Sequence, residues 1–209
     1  KIPSLMLVAL SDTKTADKNM MEHFNSTIVR IKKDTKAAIK SAKSSTPTPI
    51  WGIWSDETSY KSLEILKDEG GDFLTISNFN TNAEILSDDS LGKIMVIPMD
   101  IPEELCHSLE ELPVDAIIMS DLEEVLNLTI NNVMAIRSLR DLISKPLLLL
   151  RQNPLKKQDL KVIRDVGLQG IVLDLNKISS EDLNAMQKDI DEMPAAKNKK
   201  DQANAILPR

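Results

Sequence analysis

Aspartates recur along this chain next to short apolar runs. Asp12, Asp56, Asp100 and Asp121 stand one or two residues past such a run, and Asp174 lies inside the last one. Carboxylates brought together from side-by-side segments offer oxygen ligands, the kind that Mg²⁺ and Mn²⁺ prefer. One of them could equally serve as a general base. Asp12, Asp100, Asp121 and Asp174 are therefore the candidates for catalysis or metal binding. Arg151 directly follows the run Pro146–Leu150 and offers a guanidinium fork to an anion. A plainer role competes for the same residues. Ser and Asp oxygens after a strand bond the free amides of a helix's first turn. Asp12, Asp56 and Asp100 each precede a helical pattern, as Ser179 and Ser180 do. Capping is the expected role for most of these acids, and a converging site is the alternative.

Other chemistries find little support. A Schiff-base lysine needs burial at a strand end to lower its pKa. Lys32 is the one position of that kind, and it sits beside Lys33 in a polar run. A G-x-S-x-G elbow is absent, and His23 and His107 fall in helical segments. Two histidines and one cysteine, Cys106, fall short of a His/Cys zinc site. The segments RQNPLKKQ and NKISSED lack the glycines that let backbone amides approach a phosphate. No cofactor is recognisable beyond Mg²⁺ or Mn²⁺ at the aspartates.

The elements that would position these residues recur with a period. SLMLVAL (4–10), STIVRI (26–31), PIWGIW (49–54), DFLTIS (72–77), IMVIPM (94–99), DAIIMS (115–120), PLLLL (146–150) and GIVLDL (170–175) are too short for helices and mostly continuously apolar. That is the pattern of strands buried on both faces, hence of a parallel sheet covered by helices. Between them lie helical stripes: Tyr60, Leu63, Leu66 and Lys67; Ile130, Val133, Met134, Ile136 and Leu139; and Leu183, Met186 and Ile190. Gly70 and Gly167 suit left-handed helix ends. Residues 26–31 predict a strand, although Asn25–Ser44 also carries a helical stripe. Trp51 and Trp54 lie three apart on one strand, so one should face the sheet's interior side and the other the helix layer. From Pro194 the periodicity stops, giving an expected domain over 1–193 and a polar tail or linker over 194–209.

Repeated strand–helix units fold either as an open parallel α/β sheet or as a closed barrel. Even unit lengths, and the lack of a glycine-rich loop after the first strand, favour the barrel. The cadence of LKDEGGDFLTIS and KVIRDVGLQGIVLDL resembles the units of TIM-type (β/α)8 barrels across roughly residues 2–193. That resemblance implies functional groups at the carboxyl ends of the strands. It names no enzyme family, and no family's catalytic set can be laid on these residues.

The formal net charge of −6 argues against nucleic acid, which draws on clustered Lys and Arg. Lys32-Lys33 and Lys197–Lys200 are short basic runs expected on the surface. No run is long and apolar enough to span a membrane, and a lone cysteine forms no internal disulfide. A cytoplasmic location is expected, with a signal or anchor before Lys1 left open. The reading is a scaffold or a protein- or ligand-binding barrel without a recognisable catalytic motif. The alternative is a metal-dependent lyase, aldolase or isomerase acting on a small anionic metabolite.

Overall fold

The computed structural model describes residues 4–12, 18–46, 48–120 and 127–194. Eight strands run parallel: β1 (Met6–Ser11), β2 (Ser26–Ile31), β3 (Trp51–Ser55), β4 (Phe73–Ile76), β5 (Gly92–Pro98), β6 (Ala116–Ser120), β7 (Leu147–Arg151) and β8 (Gly170–Asp174). They follow one another in chain order, and β1 pairs with β8 to close the barrel. The chain is a (β/α)8 barrel, as the periodicity predicts. The segment 26–31 is a strand, and its helix, α2 (Lys36–Ser45), begins only after Thr35 caps it.

Alternation along each strand sorts the apolar residues into two layers. Val8, Leu10, Ile28, Trp54, Phe73 and Val172 fill the barrel interior. Leu7, Ala9, Ile97, Ile117, Leu149 and Leu173 face the helices. The two tryptophans divide as expected: Trp54 points inward, and Trp51 packs outward with Ile53 and Leu66. Gly52 faces inward between them. A Cβ there would lie 2.2 Å from the Phe73 carbonyl oxygen and 2.4 Å from the Phe73 ring. Only a residue without a side chain lets Phe73 cross the interior at that level.

The outer layer holds α1 (Lys18–Met21), α2, α3 (Tyr60–Asp68), α4 (Glu103–Glu111), α5 (Ile130–Leu142), α6 (Lys157–Asp165) and α7 (Ser180–Glu192). Gly70 and Gly167 end α3 and α6 at φ 78° and 104°, the left-handed conformation that glycine adopts without strain. The stripe of α7 buries Leu183, Met186 and Ile190 as its spacing predicts. Two other stripes are corrected. On α3 the buried face is Ser62, Leu63 and Leu66, with Lys67 exposed. On α5 it is Asn132, Ile136 and Leu139, while Ile130 is 80% and Met134 63% exposed. The Asn132 amide accepts from the backbone N–H of Thr129 in a capping box, so Asn132 takes a buried place in the first turn while Ile136 and Leu139 keep theirs.

Unit four departs from the pattern. Between β4 and β5 lies only a 3-10 helix, Ala83–Ser87, opened by the Asn82 side chain. The layer over this sector is therefore thinner than over its neighbours.

The amino ends of the strands carry a structural repeat. Asn25 Oδ1 accepts the N–H of Leu7, Asp72 Oδ2 that of Trp51, Asp115 Oδ2 that of Lys93 and Gln169 Oε1 that of Leu147, at 2.7–3.0 Å. Each of these four residues also donates its own N–H to the carbonyl of the same partner. The reciprocal bonds join β1 to β2, β3 to β4, β5 to β6 and β7 to β8. They satisfy backbone donors at strand starts where the ladder has not yet begun.

Candidate functional site

The carboxyl ends of the strands form the mouth of the barrel. Arg30 and Trp54 stand opposite each other in the β2–β3 register. The Arg30 guanidinium lies over the Trp54 indole, 4.6 Å from the ring centroid. The indole Nε1 donates to Ser77 Oγ at 2.9 Å. Trp54 is 6% exposed and tops the packed interior, whereas Arg30 is solvent-exposed. The ring lies in the upper part of the packed interior, and the guanidinium is laid across it. Among the described residues, Arg30 makes no salt bridge.

Of the strand-end acids, Asp12, Asp100 and Asp174 lie among the described residues. Asp174, opposite Leu10 in register, accepts the N–H of Asn176 at 3.0 Å and so closes its own turn. Asp12 is half-buried past β1, and Asp100 is exposed in the turn after β5. Asp121 lies outside the described residues, as does the basic run Lys197–Lys200 with the rest of 195–209. Among the described residues, no group of three or more His, Cys, Asp or Glu comes together as a metal site. Arg151, the last residue of β7 and opposite Leu173, is 4% exposed and stands on the strand face turned toward the helix layer. Lys32 is exposed, without the burial that a Schiff-base lysine requires.

At α3 and α4 the preceding aspartates are not the caps. Neither Asp56 nor Asp100 is an N-cap: Ser59 caps α3, and Pro102 precedes α4 without a side-chain bond. Thr129 and Ser179 cap α5 and α7. The loops run three residues past Asp56 and two past Asp100 before the helix begins, and at α3 the Ser59 hydroxyl reaches the free amides instead. Asp34 instead accepts from the Ser59 and Ser62 hydroxyls, tying the loop after β2 to α3.

A second surface was not legible in the sequence. Where unit four lacks a full helix, an apolar groove of about 280 Å³ opens between the 3-10 helix and α4. Ile76, Phe79, Leu86, Leu105, Leu109 and Leu112 are among the residues lining it. Phe79 is 54% and Leu105 47% exposed. Cys106 points away from the groove into the core, where burial pushes its thiol pKa up and leaves it a weak nucleophile. At the opposite end of the barrel a polar cavity of about 300 Å³ is lined by Glu22, His23, Asn25 and Gln187. No described helix is long and apolar enough to cross a membrane.

Comparison with known proteins bears on the fold. No family model matches the chain, and no curated protein matches it. Among solved structures it is similar to the tryptophan synthase alpha-subunit from the hyperthermophile Pyrococcus furiosus. Three structures of mutants of that subunit superpose with TM-scores of 0.63, 0.64 and 0.65. Each is 10% identical, with 91% of this chain and 97% of the other covered. Likeness at that identity shows a shared (β/α)8 barrel architecture and nothing finer.

Proposed function

We propose that this barrel is a binding module that captures a protein partner through the groove beside α4. The single observation that carries the reading is the position of its open apolar surface. The mouth, where a barrel of this type keeps its chemistry, is topped by the buried Trp54 ring. Two exposed apolar side chains, Phe79 and Leu105, line a concave groove in the helix layer of unit four. Apolar concavities rimmed by polar residues are where partners and ligands bind.

The test uses an apolar dye whose emission rises on burial, titrated against the full chain. Saturable binding that Leu105→Glu abolishes supports the reading. Binding indifferent to that change overturns it.

A second reading rests on Arg30, an exposed cation held in place at the mouth without a carboxylate partner among the described residues. It is a lyase, aldolase or isomerase acting on a small anionic metabolite, with Mg²⁺ or Mn²⁺ supplied at the aspartates if a metal is used. Thermal shifts across Mg²⁺, Mn²⁺, EDTA and phosphorylated and carboxylate metabolites separate the two. A ligand at 100 times its Kd stabilises the folded state by about 2.7 kcal/mol. Such a shift, lost in Arg30→Met, would move the function to the mouth.

A further inference from the structure

We infer that the groove takes a basic amphipathic helix of a partner protein. This rests on the partner-binding reading and names the chemistry of the partner. Its first support is shape. Other units of the barrel lay a helix over the space between successive strands, and unit four supplies only the 3-10 helix Ala83–Ser87. One wall of the resulting gap is a helical stripe, Leu105, Ser108, Leu109 and Leu112 of α4, at the i, i+3, i+4, i+7 spacing by which helices pack on one another. An incoming amphipathic helix meets such a groove with its own apolar face.

The second support is charge. The segments 78–90 and 99–112, which form both walls, contain neither lysine nor arginine. They carry Glu84 on the 3-10 helix, Asp88 and Asp89 just beyond it, and Glu103, Glu104 and Glu111 on α4. Glu84, Asp89, Glu103, Glu104 and Glu111 are exposed. The floor of the groove is apolar, and the two wall segments are net acidic, with Lys67 and Lys93 close enough to Asp88 to offset its charge. A partner whose apolar stripe is flanked by Lys or Arg satisfies both features, and an acidic one is repelled. The same acidic walls oppose a second copy of this chain docking face to face, because a two-fold interface sets each patch against itself.

The experiment measures fluorescence anisotropy of two labelled synthetic helices of roughly four turns titrated with the full chain. Both carry Leu at i, i+3, i+4 and i+7; one carries Lys at the remaining positions and the other Glu. The Leu/Lys helix is expected to bind saturably, more weakly as salt rises, and the Leu/Glu helix not to bind. Affinity for Leu/Lys is expected to fall by about tenfold or more in Ser108→Trp, which fills the groove at constant charge, and in the triple variant Glu84→Lys, Glu104→Lys, Glu111→Lys. Circular dichroism confirms that the variants fold. Equal binding of both helices, lost in Ser108→Trp, would leave the groove a docking site and overturn the basic partner. Binding of Leu/Lys unchanged by Ser108→Trp would place it elsewhere and overturn this inference alone. Failure of both helices together with failure of the apolar dye would overturn both readings. Sedimentation of the unmodified chain as a dimer that Ser108→Trp dissociates would identify a second copy as the occupant and overturn the proposal.

Discussion

Asp115 and Lys93 exchange two hydrogen bonds at the amino end of the β5–β6 pair: Asp115 Oδ2 accepts the Lys93 N–H at 2.7 Å, and the Asp115 N–H donates to the Lys93 carbonyl at 2.8 Å. The side-chain bond caps a donor that the ladder leaves unpaired. Removing it strands that N–H in a residue only 2% exposed. Asp115→Ala is expected to destabilise the barrel by about 1–3 kcal/mol in urea unfolding. Asp115→Asn keeps an acceptor oxygen and is expected to recover most of the loss. Equal losses in the two variants would mean that the carboxylate's charge matters and the bond does not.

Gly52 and Phe73 make the tightest fit inside the barrel. A methyl at position 52 meets both the Phe73 ring and its carbonyl oxygen. Gly52→Ala is therefore expected to cost about 1–3 kcal/mol or more, the usual range for overpacking a core. Phe73→Leu removes the ring but leaves the carbonyl in place. The double variant should recover only part of the stability relative to the sum of the single changes, as a double-mutant cycle by urea unfolding would show. Full recovery would assign the strain to the ring alone.

Much of the architecture was legible in the sequence because burial on both faces leaves a distinctive mark. Continuously apolar runs such as Leu147–Leu150 have no other use in a chain of this kind, and eight of them at even spacing read as a closed parallel sheet. What was not legible depends on distances between units. The stripe Ile130–Met134 looks like a buried face, but Ile130 and Met134 are exposed in α5 and Asn132 is buried, because which face packs depends on the neighbouring units. The strand-end aspartates looked like caps because they precede helical patterns, but loop length decides which residue reaches the first turn, and Ser59 takes the place of Asp56. The groove was invisible for a similar reason: it arises where a helix is missing, and the residues that line it, such as Phe79 and Leu105, come from separate units. The Arg30–Trp54 stack is set by register across β2 and β3, which single-strand periodicity does not report.

That stack has a measurable energy. Arg30→Met keeps the aliphatic stem over the indole and removes the charge. A double-mutant cycle of Arg30→Met with Trp54→Leu is expected to yield a coupling of about 0.5–1 kcal/mol, the range for an exposed cation over an aromatic face. The Trp54→Leu change alone should cost more, since it also removes buried ring surface and the bond to Ser77. A coupling of zero would make the guanidinium a solvated neighbour of the ring, free to serve an anion without loss of stability.

The clamp between α6 and α7 sets a pH window. Lys157 Nζ lies 2.7 Å from Glu192 and 3.3 Å from Asp189. The hydrogen bond to Glu192, and next that to Asp189, holds the Lys157 pKa above its ordinary 10.5. The bond from Lys157 holds Glu192 below its ordinary 4.5. A carboxylate with a lowered folded pKa contributes stability that is present above its unfolded value and lost as pH falls through the folded one. A lysine with a raised folded pKa contributes stability that is complete below its unfolded value and lost as pH rises through the folded one. The difference in Tm between the unmodified chain and Lys157→Met should therefore hold level from about pH 5 to 10 and shrink on both sides. Its size should be small, because the Lys157–Glu192 pair is solvent-exposed and exposed pairs are screened. A difference that stayed constant down to strongly acidic pH would show that the contact works through packing of the lysine stem, not through the ion pair.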